Sequence, residues 1–175
     1  LPIMASSLLG TAYNITDMAW IGMLGSKAVA GVGVGGMYVW LSQGLVALPR
    51  MGGQVNVAQA CGRGDYEQAR GYAASALRLT FLLGILFAAV CIVFIHPLLG
   101  FFNLGDAETY TAAKLYTLIT CGLILFSFLN LTLTGLSTAQ GDSKTPLMAN
   151  LLGLVGNMIL DPILILGFGP FPRLE

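Results

Sequence analysis

The chain has 175 residues, of which 56% are hydrophobic and 9% charged, with a formal net charge of zero and a mean hydropathy of +0.81. A soluble domain carries about 25% charged residues, so this balance excludes a water-solvated globule, and the lack of any Lys/Arg-rich run excludes a nucleic-acid partner. What remains is an all-α integral membrane protein whose apolar surface faces the lipid bilayer or other spans.

Leu1 is not an initiator Met, and no basic stretch precedes the first apolar residues, so the start reads as part of a longer chain rather than as a signal peptide. A bilayer crossing takes roughly 20 apolar residues, and charged and Gly/Pro-rich clusters divide the sequence into five segments of sufficient length. These are expected at about 1–23, 28–61, 68–99, 107–139 and 146–168.

The first segment stops at Leu24-Gly25-Ser26-Lys27, where glycine closes a helix and serine caps the next. The second is about 50 Å long at 1.5 Å per residue, against a hydrocarbon core of about 30 Å, so it has to tilt, kink or project into solvent. Pro49, Gly52 and Gly53 mark the expected kink. The charged stretch Arg63-Gly64-Asp65-Tyr66-Glu67-Gln68-Ala69-Arg70 is a loop leading into the third helix, and Asn103-Leu104-Gly105-Asp106 separates the third from the fourth. Gly141-Asp142-Ser143-Lys144-Thr145-Pro146 ends in a capping residue with proline at the first helical position of the fifth. Pro172-Arg173-Leu174-Glu175 follows that span directly, and its Leu-Glu pair also fits a cloning scar. Arg63, Arg70 and Lys144 lie in loops on one side, against Lys27 and Arg173 on the other, which places the former loops in the cytoplasm.

Ionisable groups at bilayer depth cost about 2.5–3.5 kcal/mol each and by default face the bundle interior or a water-filled cavity. Asp17 and Asp161 are the two such acids. Gly10, Tyr13, Asn14 and Asp17 recur at helical spacing in the first segment, and Asn150, Asn157 and Asp161 in the fifth. An even number of crossings separates these helices, so they run in the same direction. Asp17 lies about 6 residues and Asp161 about 7 residues before its segment ends, so both sit roughly 10 Å inside the same face. If the two helices are neighbours, the acids share one site. Burial favours the protonated acid, a second acid nearby favours it further, and an oxygen ligand from Asn157 completes a small-cation shell, so such a site suits H⁺ or Na⁺. The plainer reading is a structural pair of acids satisfied by neighbouring polar groups.

Ser127, Asn130, Thr134 and Thr138 form a polar stripe on the fourth segment. It either lines a cavity or makes interhelical hydrogen bonds. Arg50, beside Pro49, either faces a water-filled vestibule or snorkels to the interface. Gly31-Val32-Gly33-Val34-Gly35-Gly36 fits a dinucleotide fingerprint in letters only; with no strand before it, close helix packing is the expected use. Asn14-Ile15-Thr16 and Asn130-Leu131-Thr132 match a glycosylation pattern inside membrane spans, beyond a transferase's reach, and His96 before Pro97 ends a helix near the interface. Cys61, Cys91 and Cys121 are odd in number and far apart, so they read as small buried hydrophobes.

Four stretches together resemble the multidrug and toxic compound extrusion (MATE) family: residues 17–25 with Ala28-Val29-Ala30, Ala58-Gln59-Ala60-Cys61-Gly62-Arg63-Gly64-Asp65, Gln140-Gly141-Asp142-Ser143-Lys144-Thr145-Pro146, and Asn157-Met158-Ile159-Leu160-Asp161-Pro162. The resemblance implies a twelve-helix exporter in two six-helix lobes, multi-pass in the cytoplasmic (inner) membrane of a prokaryote. Such an exporter moves cationic or amphiphilic small organic molecules by alternating access, in exchange for H⁺ or Na⁺ and with no organic cofactor. This chain would supply helices one to five of the first lobe, with the second lobe of the same polypeptide lying beyond it. Asp17, Asn157 and Asp161 fall where members similar to the DNA-damage-inducible protein F branch place a first-lobe cation site, with Na⁺ as its candidate metal. Tyr13 matches a tyrosine beside that site and Pro2 a first-helix proline involved in bending. Asn14, Ser127, Asn130 and Thr134 follow the substrate cavity, with Thr134 standing where an amide is more usual; Arg50 has no place in the pattern. The alternatives are a lipid-linked oligosaccharide flippase of the same superfamily, which a positively charged cavity would favour, and a non-transporting membrane assembly subunit.

Overall fold

The computed structural model describes residues 29–156 in full, the backbone alone over 26–28 and 157–166, and residues 4, 8, 10–12, 14, 15, 18 and 22 nearer the start. Among the described residues six helices are defined: α1 (Ser26–Gly62), α2 (Tyr66–Val93), α3 (Ile95–Gly100), α4 (Ala107–Gly122), α5 (Ile124–Ala139) and α6 (Lys144–Leu166). Two compact units contain them, one formed by Ala30–Asp142 and the other by Leu1–Val29 with Ser143–Glu175.

α1 is 37 residues long and runs through Pro49 without interruption. Its first half is rich in Val and Gly, poor helix formers in water, but in lipid every unpaired backbone group costs several kcal/mol, so the helix forms regardless. It ends in a Schellman motif: Gly64 is left-handed at φ 77, its N–H donates to the Cys61 carbonyl at 3.0 Å, and the Asp65 N–H donates to Ala60 at 3.0 Å. Asp65 then caps α2, its carboxylate accepting from the Gln68 N–H at 3.0 Å. α5 ends the same way, with Gly141 at φ 84, its N–H on Thr138 at 3.0 Å and the Asp142 N–H on Ser137 at 3.1 Å. α6 begins at Lys144, two residues ahead of Pro146, whose missing N–H still falls among the first four that a helix leaves unpaired.

Two expected helices are broken. The stretch expected at 68–99 divides at Phe94, since Pro97 cannot donate to the Val93 carbonyl and its ring crowds that group. The stretch expected at 107–139 divides at Leu123, directly after Gly122, with a bend of 44°. α1, α2 and the bent α4–α5 pair are the described helices apolar and long enough to cross a bilayer, the pair counted as one span. Their outer surface is greasy, Trp40 being 78% and Phe126 69% exposed, as lipid contact demands.

Three small cores lie along α1. Near its start Val34 meets Ile95, Leu99 and Ala113; midway Val46 meets Ile124 and Phe128; near its end Val57 and Ala60 meet Ala69, Ala76 and Leu136. Glycines permit the approach. A Cβ on Gly31 would stand 3.2 Å from the Ala113 nitrogen, one on Gly53 would stand 2.6 Å from the Ala76 Cβ, and one on Gly35 would run into the Tyr116 ring. The glycine run thus serves helix packing at Gly31 and Gly35. Polar links are few: Tyr38 donates to the Leu98 carbonyl at 2.7 Å, the hydroxyls of Thr80 and Thr132 meet at 2.9 Å within the α2–α5 contact, and His96 Nδ1 lies 2.9 Å from the Tyr110 hydroxyl. Cys91 and Cys121 are buried and neighbour each other between α2 and α4. Cys61 is half-buried.

Neighbouring glycines give the test. Gly53→Ala forces α1 and α2 apart and should destabilise the protein by about 1–3 kcal/mol. Gly52→Ala, with nothing within 4 Å, should be neutral or stabilise by up to about 1 kcal/mol through helix propensity. Thermal unfolding in detergent checks both.

Candidate functional site

The polar stripe of α5 sits beside its buried face. Phe128, Thr132, Gly135 and Leu136 turn inward, while Ser127 and Asn130 are exposed and Thr134 and Thr138 half-buried. The bonds of the stripe are local: the Thr134 hydroxyl donates to Asn130 Oδ1 at 3.3 Å and the Thr138 hydroxyl to the Thr134 carbonyl at 2.8 Å. The interhelical hydroxyl contact falls instead to Thr132 on the inner face.

α1 contributes a matching edge. Gln43, Arg50 and Gln54 recur at intervals that bring them to one side of the helix. That side meets α5 at Gly135, where a Cβ would stand 3.1 Å from Arg50 Cγ and 3.4 Å from Gln54 Oε1. Arg50 is half-buried, and its Nε is shielded from solvent with no hydrogen-bond partner. Hydroxyl, amide and guanidinium groups therefore stand along the α1–α5 seam inside apolar spans. On the other side of α1 a cavity of about 190 Å³ opens around Pro49, Gly52, Asn56, Tyr72 and Ser75. A second, of about 250 Å³, lies where Cys61, Tyr66, Arg70 and Gln140 bring the α1, α2 and α5 ends together.

Of the residues expected at a cation site, Asp17 and Tyr13 lie outside the described residues, as does Pro2. Residues 157 and 161 belong to the helical backbone of α6, but the side chains of Asn157 and Asp161 lie outside the described set. Asn14 is helical and exposed. Among the described residues no group of three or more His, Cys, Asp or Glu comes together. The structure thus brings Arg50 and Gln54 to α5, with Ser127 and Asn130 exposed and Thr134 half-buried along the same edge. Sequence reasoning passed over Arg78, exposed on the face of α2 turned away from α5; a lone cation in a long apolar run was its signal. It also passed over Thr80, whose partner Thr132 is 52 residues away.

A family model described as MatE matches residues 2–163. The chain belongs to the MatE family. Among its relatives, a FAD transporter of Shewanella oneidensis is 29% identical over 100% of this chain and 38% of its own length. A probable multidrug resistance protein NorM of Thermotoga maritima is 27% identical over 99% of this chain and 37% of its own. An outward-facing multidrug resistance MATE family transporter of the MOP superfamily superposes with a TM-score of 0.86 at 29% identity, over 96% of this chain and 38% of that one. A MOP superfamily transporter from Pyrococcus furiosus, described as having a binding pocket of reverse polarity, gives 0.82 at 28% identity, over 96% and 37%. The MatE chain thus spans somewhat over a third of the length of these relatives and has the all-α integral membrane fold of the N-terminal lobe.

Proposed function

We propose that this MatE chain forms helices one to five of the first lobe of a cation-coupled antiporter. The antiporter exports drugs and other amphiphilic or cationic organic compounds across the cytoplasmic membrane of a prokaryote by alternating access. The observation that carries this reading is the α5 stripe: inside a span, Ser127 and Asn130 are exposed and Thr134 half-buried, beside the face that packs inward. Such groups belong beside a protein-lined, water-filled space, since lipid would leave them unsatisfied. Ser127, Asn130 and Thr134 are the proposed cavity wall, and the second lobe of the same polypeptide is the facing wall.

In this reading Asp17 and Asp161, with Asn157 as an oxygen ligand and Tyr13 beside them, hold the coupling H⁺ or Na⁺, and Pro2 lets the first helix bend. Neutralising two carboxylates by binding a cation removes their attraction for a positively charged compound. A cation that binds one conformation better shifts the population toward it by that difference in affinity alone. No organic cofactor enters the cycle.

Asp17→Asn and Asp161→Asn in the full-length protein test the assignment. Gradient-driven efflux from proteoliposomes should fall at least about tenfold in each, as expected when an ionisable intramembrane group is the functional one. Membrane insertion and helical circular dichroism should be unchanged. Undiminished efflux by both variants under a Na⁺ or pH gradient would remove the two acids from the coupling mechanism.

A further inference from the structure

Arg50 is the anomaly that a cation exporter leaves unexplained. Within the unit formed by Ala30–Asp142 the acids are Asp65, Glu67, Asp106, Glu108 and Asp142, all at helix ends or in turns. Asp65, the nearest along α1, is about 15 residues on, or roughly 22 Å of helix. Among the described residues Arg50 makes no hydrogen bond or ion pair, and its Nε is buried without a partner. A shielded guanidinium nitrogen with nothing to donate to is costly.

Snorkelling does not relieve it. The stem packs against Gly135, and side chains on an α-helix tilt toward its N-terminus, here away from the Gly62 end where the charged loop lies. The glycine at 135 is what lets the stem lie flat on α5, one residue from Thr134. Gln54 stands at the same contact, with its Oε1 3.4 Å from where a Cβ of Gly135 would be. A fixed cation, an amide and a row of hydroxyls on one seam match the needs of an oxyanion: charge from a guanidinium, and further donors from amide and hydroxyl.

We propose that Arg50, supported by Gln54 and the Thr134 edge of α5, is a binding position for the phosphate or carboxylate of an amphiphilic solute, so that the transported class extends to anionic compounds. The proposal rests on the transport reading above for the word transported. The binding position itself is tested without transport.

Riboflavin 5′-phosphate and riboflavin differ by the phosphate alone, and flavin fluorescence reports binding of either to the full-length protein in nanodiscs of phosphatidylcholine. The wild type should bind the phosphorylated flavin at least about tenfold more tightly, the range of one charge-assisted contact. That preference should fall to about onefold in Arg50→Gln and persist in part in Arg50→Lys, which keeps the charge and guards against a fold defect. Equal binding of the two flavins by the wild type would overturn the proposal, and so would failure to bind the phosphorylated one; either result is expected if a carboxylate elsewhere in the protein already neutralises Arg50. A preference retained in Arg50→Gln would also overturn it. A preference that vanishes in discs containing phosphatidylglycerol would assign the position to a lipid headgroup instead. Loss of gradient-driven efflux with the flavin preference intact would count against the antiporter reading alone.

Discussion

The close approach of α1 to its neighbours is the constraint on which the unit formed by Ala30–Asp142 depends. Between membrane helices there is no hydrophobic gain to be had, since lipid tails are as apolar as leucine, and association rests on close contact and a few interhelical hydrogen bonds. α1 meets this with glycine against α4 at Gly31 and Gly35, against α2 at Gly53, and by receiving its own Arg50 stem on Gly135 of α5. The three small cores follow its length at intervals. Removing glycine from these points would cost contact along the whole helix rather than at one side chain.

Packing α1 this way uses one side of each helix and leaves an edge over. On α5 the inward side holds Phe128, Thr132 and Leu136, and the polar groups of Ser127, Asn130 and Thr134 fall beside it. On α1 the edge carries Gln43, Arg50 and Gln54. Because both edges meet at Gly135, the contact that holds the helices together also determines which polar groups stand side by side. The 44° bend between α4 and α5 belongs to the same geometry, since the first core is made with α4 and the other two with α5.

The helix ends near 62 and 139 were legible because turn residues act locally, whereas the first expected span, 1–23, lies largely outside the described residues. Gly64 and Gly141 each supply the left-handed residue of a Schellman motif, and a Gly-Asp pair in a charged stretch announces that in the sequence. The break at Phe94 was half legible, since Pro97 signals a disturbance without saying how far upstream it is felt. The break at Leu123 was not, because Gly122 in a run of apolar helix formers reads equally well as a packing glycine. The glycine run at Gly31–Gly36 reads as packing, which holds at Gly31 and Gly35, yet nothing in it distinguishes these two, which lie against α4, from Gly33, where a Cβ would meet nothing within 4 Å. Long-range pairs such as Thr80 with Thr132 and Cys91 with Cys121 depend on tertiary register, which spacing along the chain does not carry. Of the site, the α5 stripe was visible as a period; that it lies open, and that Arg50 reaches it, came from the structure.

Water along the α1–α5 seam is the central claim, and cysteine accessibility measures it directly. In a full-length protein whose Cys61, Cys91 and Cys121 are replaced by alanine, single cysteines at Ser127, Asn130 and Thr134 should react with a membrane-impermeant maleimide. Cysteines at Phe126 and Leu133, on the exposed apolar face of the same helix, should not. Equal protection of both sets would contradict the account, because the stripe would then be buried in lipid or protein and no cavity would run along it.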